Sequence, residues 1–443
     1  MRSHPFEPVS AWLRQPPDDL QPALAETRSA DVAIVGAGCT GLSAALALRA
    51  QGADVVVLEQ EFAGAGASGR NAGYLAGPAV MDLPLALRRN GRAGVEGLVA
   101  FAREAVTFSE RLLEAQRIDC DYHRSGVILA AVHPRQEARV GQWLRWCEAF
   151  GCPLLPQSRA ELAERGIPAA FRSGLYDATG GVFDPGRLVS GLRRRTLEAG
   201  VRLFEGTRVE RLEDGAEIRL ETGSGVVRAE HAILATNAYT PELRARPRSV
   251  LPLRVSGFET APLDDRQLEA LGWRGFEGIN TLHEVLESYR RTDRRSIVGT
   301  SKDFAVGWRR RRPAAYAPGS FALLEEAFHD RFPMLAGLPV ARFWSGWIAH
   351  TTDFRPLLGV SGRRGNLLRG LGYCGHGVAQ ALLMGDVLAE RVAGRSHPLE
   401  AHVRRRVLAW PPDPLTFGAV SLLRAGLRWL DGRVDRELRG PGP

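Results

Sequence analysis

The chain has 443 residues, 44% hydrophobic and 24% charged, the composition of an ordinary globular protein long enough for two closely built domains or one large one with an excursion. A net charge of +8 and a pI near 9.7 raise nucleic acid or anionic lipid as partners, yet all but one of the 58 basic residues are arginines, scattered along the whole length with Lys302 the exception. That is a chain-wide composition bias rather than a binding stripe, so no nucleic-acid partner is expected and the runs Arg193–Arg195, Arg309–Arg312 and Arg404–Arg406 are read as solvated faces and loops.

No run of 18 apolar residues exists to span a bilayer, and the N-terminal stretch lacks the apolar core of a signal peptide. The five cysteines are few and odd in number, which points to reduced thiols in a cytoplasm. Cys147 and Cys152 have no matching second pair, so no metal site is expected.

Residues 1–30 are Pro-rich and irregular, and are expected to drape over the first domain. Asp31–Val35 is a β-branched run suited to a buried parallel strand, and Gly36, Gly38 and Gly41 follow as G-x-G-x-x-G. The first glycine permits the tight turn, the second lets backbone approach a pyrophosphate, and the third lets helix and strand pack closely. Leu42–Ala50 is Ala/Leu-rich helix whose free N–H groups point at that phosphate. Val55–Leu58 is a second buried strand ending at Glu59, eighteen positions after Gly41, where an acid accepts from a ribose hydroxyl. This is a dinucleotide-binding βαβ unit. Taken alone it does not separate NAD from FAD.

The loop that follows, AGAGASGRNAGYLAGP from Ala63 to Pro78, has almost no side-chain bulk. Such a loop can lie flat against a large planar cofactor, with Ser68, Arg70 and Asn71 supplying hydrogen bonds. Here the chain resembles the D-amino-acid oxidase superfamily of FAD-dependent oxidoreductases. It is most similar to the γ-glutamylputrescine oxidase-like branch, whose S-G-R-N-G-G differs at Ala72 by one methyl group. The resemblance implies an α/β fold in which a Rossmann-type FAD-binding domain is interwoven with an antiparallel-sheet (α+β) substrate domain. The expected FAD-binding segments are 30–90, 180–245 and 345–395; 91–179 and 246–344 would form the substrate domain, and 396–443 a basic amphipathic tail.

Further along, residues 95–117 have helical spacing, Val127–Val132 reads as a strand and Arg135–Phe150 as a helix. A helix from Leu188 to Ala199 stops at Gly200, and strands follow over Val201–Leu212. In the superfamily this passage returns to the FAD domain, which places the Val209 backbone at the adenine and the strand end within Ala229–Tyr239 near the pyrophosphate. Residues 250–345 alternate strand-like runs with a helix at Phe321–Phe332, the pattern of an antiparallel sheet with helical cover.

Two later segments extend the resemblance, WSGWIAHTTDFRPLLG from Trp344 and GLGYCGHGV from Gly370. In relatives the first lines the flavin and substrate pocket, and the second wraps the flavin's pyrimidine edge, here with Gly372, Gly375, His376 and Gly377. Reduced flavin holds negative charge near N1 and C2=O, which backbone N–H groups at a helix start stabilise. Relatives acting on α-amino acids commonly place a carboxylate-gripping arginine where this chain has Ile348. An amine with an apolar or remote-polar body is therefore favoured over a small α-amino acid, although another arginine can substitute.

His350, Tyr373 and His376, together with Trp347, are the candidates near substrate and flavin. His350 either faces the amine or satisfies a backbone carbonyl. Some relatives carry an oxygen-activating lysine at the position of Ile297, and Lys302 is read as a surface or edge residue. Oxygen and another electron acceptor both stay open, and FAD is expected to be held non-covalently.

The implied reaction is hydride transfer from the carbon beside an amine nitrogen to flavin N5, giving an imine that hydrolyses. The alternatives are an FAD-dependent α-amino acid oxidase or dehydrogenase, an oxidase of modified tRNA, an NAD-dependent dehydrogenase, and a flavoprotein with a mainly assembly or membrane-surface role. The last would act through residues 411–443, where Leu415, Val420, Leu423, Leu427 and Leu430 can share a helix face. That face packs on the body or a second subunit, or lies on a membrane.

Overall fold

The computed structural model describes residues 4–439 apart from positions 14, 79, 80, 82, 153 and 244–247, so the last four residues of the expected tail lie outside the described residues. Two eight-stranded sheets organise the chain. In the first, β1 (Arg28–Val35), α1 (Cys39–Ala50) and β2 (Val55–Leu58) form the predicted βαβ unit, with Val32 opposite Val55 and Val35 opposite Leu58 in parallel register. All four residues of β2 are buried, as a parallel strand covered on both faces should be. The sheet continues from β1 to Val226–Leu234 and Leu367–Leu371, both parallel, and from β2 to Arg202–Phe204. Leu357–Ser361 closes one edge antiparallel, and Val209–Glu213 and Ile218–Thr222 branch off as an antiparallel pair.

Helix α1 is clamped from outside by the helix Val378–Val392. Ser43 Oγ donates to the Leu382 carbonyl at 2.7 Å, and Gly385 lets the backbones approach, because a Cβ there would meet Ala44 N at 2.6 Å. The two glycine-rich motifs are thus held as one unit.

The second sheet runs Val340–His350, Leu251–Thr260, Ile297–Val306, Glu287–Arg291, Gly278–Thr281, Val127–Ala131, Ser173–Asp177 and Leu155–Gln157. Its pairs are antiparallel except Gly278–Thr281 with Val127–Ala131. The helix Pro318–Arg331 covers it, burying Phe321 and Phe328 against Phe258 and Phe332. Val340–His350 carries Trp344 to His350 in this second sheet, across the position where the sequence suggested a boundary at residue 345.

Lys302 corrects an expectation. It is not a surface residue but is 7% exposed, with Nζ 2.5 Å from Glu287 and 2.7 Å from Asp435. The cause is a bulge. Val255 pairs with Phe304 and Gly257 with Thr300, so Ser301 and Lys302, at φ +79° and +59°, leave the ladder opposite Ser256. Lys302 and Asp303 then meet the C-terminal helix Leu415–Arg439, where Asp303 receives Arg424 at 2.7 Å.

That helix packs on the body, but through a face other than the one its leucines suggested. Val420 is buried beside Leu251, Leu253 and Ile348, and Leu427 is half-buried, whereas Leu415, Leu423 and Leu430 face outward.

Candidate active site

One large cavity lies between the two sheets, enclosing about 1720 Å³ of empty space including its open mouth. Gly36, Gly38, Glu59 and Val209 line one end; Ser68, Arg70 and Asn71 the middle; Trp347, Ile348, Tyr373, Gly375 and Gly377 the other. The carboxyl ends of β1 and β2 open into it, where α/β sheets hold their ligands.

The glycine turn is built as its spacing dictates. Gly36 has φ +105°, and a Cβ on Gly41 would fall 1.9 Å from the Gly36 carbonyl, so helix and strand touch only because that Cβ is missing. A Cβ on Gly38 would fall 2.7 Å from Ser68 Oγ. Helix α1 starts from Gly38, which has no side chain to cap it; Ser68 takes up the Cys39 N–H, and the turn's other early backbone donors are left toward the cavity. Glu59 accepts from the Ala37 N–H at 2.8 Å and the Glu61 N–H at 3.1 Å, while burial pushes its carboxyl up to about 7.

The small-residue loop spends its polar side chains on its own shape. Ser68 Oγ accepts from the Cys39 N–H at 3.0 Å, and Asn71 bridges the Ser68 carbonyl and the Gly73 N–H. The buried Arg70 guanidinium donates to the carbonyls of Ala65, Pro8, Val9 and Ser345. The N-terminal segment braces the loop, Ser10 Oγ donating to the Gly69 carbonyl and Trp12 Nε1 to the Asn71 carbonyl. The sequence suggested that residues 1–30 drape over the first domain, but not which of them brace this loop.

At the far end Gly372, Cys374 and Gly375 all have positive φ, and the turn is pinned by Gly372 N–H to Asn237 Oδ1 and Cys374 N–H to the Ala349 carbonyl. The helix after it starts from Gly377 without a side-chain cap. The Tyr373 hydroxyl lies 2.6 Å from Thr40 Oγ1, tying this turn to α1. Burial holds the Cys39 and Cys374 thiols up at about 11, well away from thiolate chemistry.

Gly41, Gly372, His350 and His376 are not among the cavity-lining residues. His350 accepts from Trp410 Nε1 through its own carbonyl, and its ring lies edge-on to Phe354. Both imidazoles keep a partly accessible edge, yet the surrounding protein pushes each down to about 4, with His376 adding to the effect on His350. Ser256, Thr300, Ser301 and Tyr239 also line the cavity and were not singled out from the sequence. Arg312 stands beside it, over the rings of Tyr239 and Trp347 at 4.0 and 4.6 Å, and is paired with Glu242 at 2.5 Å.

The family model for FAD dependent oxidoreductases (DAO) matches residues 31–391, which takes in both glycine-rich motifs and both sheets. The chain belongs to this family. A probable oxidoreductase OrdL of Rhizobium meliloti is 28% identical over 96% of this chain and 97% of its own length. The gamma-glutamylputrescine oxidoreductase of Escherichia coli is 29% identical over 85% and 87%. Among solved structures, glycine oxidase from Geobacillus kaustophilus superposes with a TM-score of 0.72 at 22% identity, covering 86% of this chain and 99% of that one. The fold is therefore that of the DAO flavoenzymes, and the cofactor is FAD.

The cavity fits it. Helix starts at Gly38 and Gly377, neither with a capping side chain of its own, stand at two places along it, and the missing Cβ atoms of Gly36 and Gly38 let Ala235 and Ser68 close in beside a turn whose backbone lines the cavity. An acid stands at the β2 end, and the loop between is small enough to admit a planar ring system.

Proposed function

We propose that this FAD-dependent oxidoreductase oxidises the C–N bond of an amine that bears no carboxylate on the reacting carbon. The observation that carries this reading is that none of the described residues brings a free guanidinium to the Trp347–Ile348 wall. Among the described residues lining the cavity the arginines are Arg70 and Arg208. Arg70 is spent on backbone carbonyls, and Arg208 adjoins Val209 at the opposite end. Arg312 is nearest to a substitute, and Glu242 already neutralises it. An α-amino acid would bring a carboxylate to Ile348 with nothing to pair it, a desolvation cost of about 2–5 kcal/mol.

Bound FAD supplies the two-electron acceptor, and the resulting imine hydrolyses in water. Gly38 and the start of α1 would hold the pyrophosphate, Glu59 the ribose and the Val209 backbone the adenine, while the Gly372–Gly377 turn would support the flavin edge; the attachment is non-covalent. Trp347 and Ile348 orient the apolar body of the substrate and exclude water. Ser256, Thr300 and Ser301 supply neutral hydrogen-bonding groups suited to an uncharged amine. Tyr373, its hydroxyl held by Thr40, acts as a positioning residue, and neutral His350 and His376 add no positive charge of their own near this end of the cavity. Lys302 is committed to Glu287 and Asp435, so it does not serve as an oxygen-activating cation, and the electron acceptor is either oxygen or another carrier.

Steady-state comparison of a mono-acylated diamine with α-amino acids of matched length tests this reading. It predicts at least a tenfold higher kcat/KM for the diamine derivative, and equal or reversed values would overturn it.

A further inference from the structure

The C-terminal helix is amphipathic the wrong way round. At about 100° per residue, Val420, Arg424, Leu427, Asp431 and Asp435 fall within an arc of about 80°, and this largely charged arc faces the protein. Asp431 accepts from the N–H groups of Glu284 and Val285, Asp435 pairs with Lys302 and Arg331, and Arg424 with Asp303. The opposite side turns outward with Leu422 at 76% exposure, Leu423 at 54%, Trp429 at 61% and Leu430 at 44%. Surface helices normally do the reverse. A contiguous outward stripe of this size marks a contact surface.

We propose that this stripe rests on an anionic lipid surface, the helix lying in the plane of the interface. Three observations select this occupant. Residues 415–430 contain no Asp or Glu, and the exposed Arg428 within them and Arg436 beyond them form no ion pair among the described residues. Trp308, exposed and edge-on to Phe417 at 5.4 Å near the start of the helix, stands beside the exposed Arg309 and Arg311, which add basic surface next to it. No described helix is long and apolar enough to cross a membrane, so the helix lies on the surface rather than spanning it. A second copy of the chain fits less well. One helix makes a narrow convex ridge, where a stable dimer buries about 800 Å² per partner, and a two-fold axis along it would bring the unpaired arginines together. The proposal does not depend on the substrate reading above.

The test is co-sedimentation of the full-length holoprotein with vesicles of equal parts phosphatidylcholine and phosphatidylglycerol, against phosphatidylcholine alone, beside sedimentation velocity without lipid. The expected result is pelleting with the mixed vesicles that weakens as salt is raised. Leu422→Ser with Trp429→Ser, and separately Arg428→Gln with Arg436→Gln, should each weaken pelleting at least tenfold while flavin content and turnover stay unchanged. Three results would each overturn the proposal: pelleting no better with anionic lipid, pelleting untouched by the serine pair, or a lipid-free dimer abolished by that pair.

Discussion

Replacing Asp435 with asparagine keeps the side chain's size and removes one charge from a buried network. Asp435 meets Lys302 at 2.7 Å, Arg331 at 2.8 Å and His283 at 3.3 Å; Glu287 meets Lys302 at 2.5 Å and Arg331 at 3.0 Å. Two carboxylates thus balance two permanent cations, with Lys302 and Arg331 standing where His283, Glu287 and Asp435 would otherwise invite a metal ion. The variant leaves two cations facing one carboxylate in a site closed to water. Removing one partner of a buried pair costs about 3–5 kcal/mol. At ~2 °C per kcal/mol, the low end of the usual range because the chain is large, Tm should fall by about 6–10 °C.

Thermal unfolding followed by circular dichroism reads this directly, with Arg439→Gln as the control. Arg439 forms an exposed pair with Asp330, so its loss should cost less than ~1 kcal/mol. An Asp435→Asn protein melting within a degree of wild type would refute the argument that the tail is held by buried charge. The pH dependence has a definite sign. Burial alone would raise Glu287, but His283, Arg331 and Lys302 outweigh it and hold it at about 2. The stability it contributes is therefore complete above its unfolded value near 4.5 and is lost as pH falls toward 2.

Three further outcomes follow from the site. Gly38→Val should abolish FAD retention, because even its Cβ would stand 2.7 Å from Ser68 Oγ; a purified variant with a normal flavin-to-protein absorbance ratio would contradict the cradle. Ile348→Arg should raise kcat/KM for small α-amino acids at least tenfold and lower it for amines, read by steady-state kinetics. Because burial holds His350 and His376 near 4, both stay neutral above pH ~5. Their folded values lie below the free imidazole value, so stability should decline as pH falls from ~6.5 to ~4, and kcat should show no inflection near 6.5 that His376→Asn removes.

Much of the cofactor end was legible because its determinants are local. The turn at Gly36–Gly41 and the positive-φ turn at Gly372–Gly375 are each specified within a few residues by backbone geometry only glycine tolerates well. Ile348 was legible as a wall residue because the segment from Trp344 resembles that of relatives which place a substrate-gripping arginine at its position, and it does line the cavity. Lys302 was not, because its carboxylate partner Asp435 lies on a helix 133 residues away and its strand bulges just where it turns inward. The tail was misjudged for a related reason. Periodicity finds two faces on a helix but assumes the apolar one is buried, and here the receiving surface carries Lys302, Asp303 and Arg331. Ser68, Arg70 and Asn71 stood out as the polar side chains of a loop with almost no bulk, and all three line the cavity, but the carbonyls that hold Arg70 were not legible because Pro8, Val9 and Ser345 lie far from it in sequence.

The most direct test of the central claim is the absorption spectrum of the purified holoprotein, recorded anaerobically as amines and α-amino acids are added. The account predicts a two-banded flavin spectrum that bleaches with an amine lacking an α-carboxylate and not with simple α-amino acids, its recovery on admitting air reporting whether oxygen is the acceptor. Bleaching by α-amino acids alone would contradict the substrate assignment drawn from Ile348, and a colourless protein that cannot be reconstituted with FAD would contradict the account as a whole.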